Sequence, residues 1–149
     1  MNFDVLEAFF NWWITNRVID VPRDIETIHF DNNSSRQIIY QNKQFQVQLI
    51  TMMPNTEIPM HVHPGVDSCE YPVSGDINFY RNGEHFPFDK QLGGLRILPT
   101  DVHGGIFGER GGSFLSIQHW LIDKPGFIHE DWEFSDKEET RKNFKVGDQ

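Results

Sequence analysis

The chain has 149 residues, one domain's worth, enough to bury about two-thirds of its unfolded surface. Hydrophobic residues make up 38% and charged ones 23%, the balance of a globular chain, not of a disordered tail or a membrane protein. Against 13 basic residues stand 22 acidic ones, and such a chain repels a phosphate backbone, which argues against nucleic acid as a partner. The densest basic stretch (Arg141, Lys142, Lys145) follows Asp136, Glu138 and Glu139, so no basic patch offsets this. The expected partner is a small molecule.

Met1-Asn2-Phe3-Asp4 lacks the positive flank of a secretory signal. The apolar run at 8–14 is far shorter than the roughly 20 residues a membrane-spanning helix needs. Cys69 is the single cysteine, which excludes an intramolecular disulfide and a multi-cysteine metal site. A cytoplasmic setting is expected, with no membrane partner.

Residues 3–15 place Phe3, Leu6, Phe9, Phe10, Trp13 and Ile14 near helical spacing, predicting an amphipathic helix that closes a core or forms a subunit interface. The stretch 31–35 is a loop by composition. Beyond it, short runs rich in β-branched and aromatic residues predict strands at 36–40, 45–52, 57–62, 69–73, 76–81, 84–88, 94–98 and 113–121. Asn82-Gly83 predicts a type I′ hairpin between two of them. The Gly-rich stretch 104–112 lacks a phosphate-loop ending and is read as turns. The tail at 135–149 is polar and is given no chemistry. The expectation is one all-β domain over 1–149, a sandwich or barrel.

Histidines stand at 29, 61, 63, 85, 103, 119 and 129. His61 and His63 alternate along an extended segment, so both imidazoles project to one face and can take two corners of a metal's coordination sphere. Residues 54–65 and 71–75, with this H-x-H pair and the closing Gly75, resemble the first motif of the cupin superfamily. That motif is a glycine, five residues, H-x-H, a short loop, usually an acidic ligand, and a glycine opening the next turn. Asn55 stands where the motif has its first glycine, a tolerable change because Asn visits the left-handed region. Residues 94–103, ending on His103, resemble the second motif, with Leu98 and Thr100 replacing a usual proline and glycine.

The resemblance implies a single-domain cupin, a jelly-roll-like small β-barrel with a short N-terminal helix and a polar C-terminal tail. It makes His61, His63 and His103 the ligands of one divalent metal ion, with iron favoured and manganese, nickel or zinc left open. The family's usual glutamate falls on Ser68, a poor ligand. Either the site is a three-histidine one, as in cupin oxygenases of the thiol and diketone type, or Glu70 or Asp67 fills the gap. Glu70 shares the strand face of Ser68; facing inward it is a ligand or a general base, and facing outward an exposed strand glutamate. The functional expectation is a metal-dependent enzyme on a small organic molecule, dioxygenase-like chemistry favoured; the alternative is a ligand-binding module without turnover. Cupins commonly pair their barrels, so a homodimer is expected.

Among the remaining polar residues, His119 lies on a face with Leu115, Ile117 and Leu121, the setting of a hydrogen-bonded core histidine, with a substrate contact as the minority reading. His29, His85 and His129 are read as surface residues, and Cys69 as a packed thiol. Gln48 and Arg96 are candidate anchors for a substrate carboxylate, their strand parity left open.

Overall fold

Asp4 caps the helix α1 (Val5–Asn16): its carboxylate accepts a hydrogen bond from the Glu7 amide at 3.0 Å, satisfying one donor of the first turn. The computed structural model describes residues 4–16, 28–29, 34–88, 94–121 and 133–134. Expectations for Phe3, 31–33, His129 and the tail at 135–149 concern residues outside this set. Among the described residues no helix is long and apolar enough to cross a membrane.

The strands are β1 (Ile28–His29), β2 (Ser35–Gln41), β3 (Phe45–Met52), β4 (Glu57–Val62), β5 (Val66–Arg81), β6 (Glu84–Phe88), β7 (Leu95–Ile97), β8 (His103–Trp120) and β9 (Glu133–Phe134). All pair antiparallel in the order β1-β2-β3-β8-β4-β9, with β5 against β8 and with β6 and β7 against β5. Asn82 and Gly83 take φ of 51° and 82°, the two positive values a type I′ turn requires. Asn55 also takes a positive φ, 57°, as its place in the motif demands.

Two strands are longer than the sequence pattern suggests. β5 runs unbroken through Ser74 and Gly75, so the segments expected at 69–73 and 76–81 are halves of one bent strand. The Gly-rich stretch 104–112 is not a set of turns but the first half of β8. Its glycines serve close approach: a Cβ on Gly104 would lie 2.5 Å from the Ile58 carbonyl oxygen. Gly75 marks the bend in β5, with φ of 98° and an added Cβ only 2.3 Å from the Gly111 carbonyl oxygen, so no other residue fits there. β5 and β8 stay paired from Val66↔Trp120 to Arg81↔His103, and β4 joins the lower half of β8 while β3 joins its upper half.

Alternation then sorts the side chains. The face of β3 and β8 bearing Val47, Leu115 and Ile117 lies against Leu6, Phe9 and Trp13 of α1. Phe9 stacks on Phe45 with ring centroids 4.3 Å apart. Burying three such side chains is worth on the order of 6 kcal/mol before ordering entropy. Arg96 on β7 fastens the start of α1 to β5, its Nη1 bridging Asp4 at 2.7 Å and its Nε and Nη2 donating to the two carboxylate oxygens of Asp67.

The opposite face looks into the barrel. At one end it is apolar, with Ile50, Met52, Ile77, Phe79, Phe107 and Phe114 packed together. Towards the other end the same face carries Gln46, Gln48, Ser68, Glu70, Ser116 and Gln118, all buried.

Candidate metal centre and its polar wall

Cross-strand register brings the histidines together. His61 on β4 sits directly opposite His103 at the start of β8, and strand alternation puts His63 on the face of His61. The three rings have centroids 4.3–5.1 Å apart and exposures of 2–3%. One ring nitrogen from each lies within 4.8 Å of the others, and among the described residues these three form the group able to share a metal ion.

The backbone fixes which nitrogens face the centre. The Nδ1–H of His61 donates to the Pro59 carbonyl at 2.5 Å, and the Nδ1–H of His103 donates to the Asp101 carbonyl at 2.9 Å. A carbonyl only accepts, so both protons reside on Nδ1 and both Nε2 lone pairs are left for a metal. The Nε2 atoms of His61 and His63 are 2.9 Å apart, close to the roughly 3.0 Å between neighbouring ligands at a right angle on bonds of about 2.1 Å. Burial pushes His61 well below the usual imidazole range, helped by the charges of His103 and Arg36, the Pro59 carbonyl acting the other way. Burial also lowers His103, against the pull of Asp101. Neutral imidazole is the ligating form, so the donor set fits a divalent first-row ion.

Of the two carboxylates considered for the fourth position, Asp67 points outward and is held by Arg96. Glu70 points inward, 4% exposed. Its Oε1 accepts long hydrogen bonds from Ser68 (3.3 Å) and Ser116 (3.4 Å), while Oε2 makes none among the described residues. Burial raises its pKa to about 8, the two serines offsetting only part, which favours the protonated carboxyl. With Oε1 accepting from both hydroxyls, that proton belongs on Oε2.

A chain of polar side chains leads to it. Trp120 Nε1 and Gln46 Nε2 donate to Gln118 Oε1 at 2.8 and 3.1 Å, and Gln118 Nε2 donates to Ser116 Oγ at 3.0 Å. Beside this chain lies Gln48, 0% exposed, and among the described residues neither its amide oxygen nor its nitrogen has a hydrogen-bond partner. Arg36, 1% exposed, is close enough for its charge to act on His61.

The two candidate anchors therefore part ways: Gln48 faces the interior and Arg96 the outside. His119 lies on the outer face, stacked on Phe45 at 4.9 Å, away from the histidine centre. Cys69 is a packed thiol under α1, its pKa pushed up to about 12, chiefly by burial. His85 is exposed and stacks on Tyr80, while His29 lies in β1. The polar wall itself escapes a search for isolated ligands. Its signal is the paired alternation Gln46-x-Gln48 and Ser116-x-Gln118, each interleaved with apolar residues that the N-terminal helix covers.

No family model matches the chain, and no curated protein is significantly similar to it. Solved structures are. KdgF from Halomonas sp. superposes with a TM-score of 0.57 over 68% of this chain and 93% of its own, at 14% identity. An RmlC-like cupin from Shewanella frigidimarina gives 0.55 over 68% and 88%, at 16% identity. The chain has the cupin fold. An uncharacterised double-stranded β-helix protein from Klebsiella pneumoniae matches over 81% of this chain and 93% of its own, with a TM-score of 0.52 and 21% identity. At these identities the likeness concerns the barrel; the chemistry has to be argued from the residues inside it.

Proposed function

We propose that this cupin is a metal-dependent enzyme, with His61, His63 and His103 holding one divalent ion and a small organic molecule bound between that ion and the polar wall. The observation that carries this is the inverted polarity of the barrel interior. A wall of glutamines, serines and a glutamic acid is buried in the same barrel as three converging imidazoles, while the apolar face of the same strands is turned outward under α1. A fold gains nothing in stability from burying an amide with neither atom hydrogen-bonded, so such a wall is kept for what it binds.

Three protein nitrogens leave coordination positions open to a substrate oxygen or to dioxygen. Iron there supplies dioxygen activation, and manganese, nickel or zinc supplies Lewis acidity towards a carbonyl oxygen. The chain's own part is to keep His61 and His103 neutral through burial, to fix their tautomers through the Nδ1–H···O=C bonds, to exclude water, and to hold a proton on Glu70 Oε2. A carboxylic acid with a pKa near working pH suits general acid–base work, which favours turnover over passive holding.

The test is oxygen uptake and product analysis with the iron-loaded protein, screened on small thiols, diketones and hydroxy-carbonyl compounds. Glu70→Gln is expected to keep the metal and lower turnover by about a hundredfold or more. Unchanged turnover in that variant would remove Glu70 from the chemistry. No turnover with any first-row metal would leave a binding module.

A further inference from the structure

Gln48 and Glu70 stand in one cross-strand row. Gln48 on β3 pairs with Ser116 on β8, and Ser116 pairs with Glu70 on β5. The two long side chains thus rise on either side of a small one, on strands whose backbones are about 10 Å apart. Gln48 presents an open amide nitrogen and an open amide oxygen, and Glu70 an open Oε2. The serine hydroxyls fill Glu70 Oε1, so Oε2 is a donor when the carboxyl is neutral. Two donors and one acceptor, buried on the two flanks of Ser116, are complementary to an oxygen that only accepts next to a hydroxyl that donates. A simple diketone offers no donor to the Gln48 oxygen, and a thiol only a weak one.

We infer that Gln48 and Glu70 form the recognition site for a small α-hydroxy-carbonyl compound, of the hydroxy-ketone or hydroxy-acid type. The inference rests on the reading of the barrel interior as a substrate site. Ser116 keeps the middle of the row low, and Gln118 orients it by donating to its oxygen at 3.0 Å. A ligand lying over Ser116 fills the hydrogen-bonding capacity that the protein leaves open on both flanks, and one lacking the hydroxyl leaves the Gln48 oxygen buried without a donor.

The experiment is calorimetric titration of the zinc-loaded full chain, which does no redox chemistry, with acetoin and lactate. Butanone, propanoate and acetylacetone serve as counterparts lacking the hydroxyl, and zinc content is measured on every sample. The expected result is that acetoin or lactate binds about tenfold or more tightly than its counterpart. Gln48→Leu should weaken that binding by about tenfold or more at unchanged zinc content, while raising Tm because an unsatisfied buried amide is gone. Gln48→Met, closer in length, gives the same pair of readings if the leucine variant packs badly. Absence of binding by both hydroxy compounds, equal binding of the counterparts, or binding unaffected by Gln48→Met overturns the inference. Zinc bound without any of this selectivity overturns it alone; Gln48-dependent binding without zinc overturns the metal reading and leaves this one standing.

Discussion

Glu70 and the histidines respond to pH in opposite senses, and the signs can be worked out from their settings. Glu70 moves from an ordinary value of 4.5 up to about 8 on burial. Between those values the folded chain holds a proton that the unfolded chain has lost, so stability falls as pH rises through this window, by on the order of 5 kcal/mol in all. Glu70→Gln removes the titration; in the metal-free protein, urea unfolding from pH 6.5 to 9 should show the downward slope in wild type and its loss in the variant. His61 and His103 lie below their ordinary 6.5. Their contribution is complete above pH 6.5 and is lost as pH falls below it, because the unfolded state takes up protons first. Metal retention follows the same direction. Occupancy should be flat from pH 8 to 6.5 and fall only at more acid pH, later than at a site of exposed histidines; full occupancy at pH 4 in a dialysis series would contradict histidine ligation.

At the scale of elements, α1 and the bend in β5 do separate jobs. α1 covers the outward apolar face of β3 and β8, which lets the inward face be polar. Trp13→Ala, removing a side chain 4% exposed, should cost about 3–5 kcal/mol in denaturant unfolding. Arg96→Ala, by contrast, breaks partly exposed ion pairs to Asp4 and Asp67 and should cost only about 1 kcal/mol. A larger loss for Arg96 than for Trp13 would mean that α1 is held by charge and not by packing. Gly75→Ala combines a positive φ with a collision against the Gly111 carbonyl, so folded yield should drop sharply; a normal yield would show that the two strands can move apart at this crossing.

For the molecule as a whole, the barrel and its histidines were legible in the sequence while the polar wall was not. The H-x-H alternation, the proline turn before His103 and the Asn-Gly hairpin are local signals, and the structure places each where local geometry demands. Residues 104–112 misled because glycine marks both turns and crossing strands, and only the neighbour at Ile58 tells them apart. Glu70 was legible as sharing a face with Ser68, but which face looks inward depends on α1 covering the other one, a tertiary fact. The same holds for Gln48 and Arg96, identical in status as sequence candidates and opposite in direction in the barrel. The central claim is that this interior is a three-histidine metal centre. It is tested most directly by elemental analysis of protein purified without a metal-affinity tag and reconstituted, beside His63→Ala. The account predicts about one divalent first-row ion per chain in the wild type and its loss in a variant that keeps the β-rich circular dichroism spectrum. No metal in the wild type, or the same content in both proteins, would contradict it.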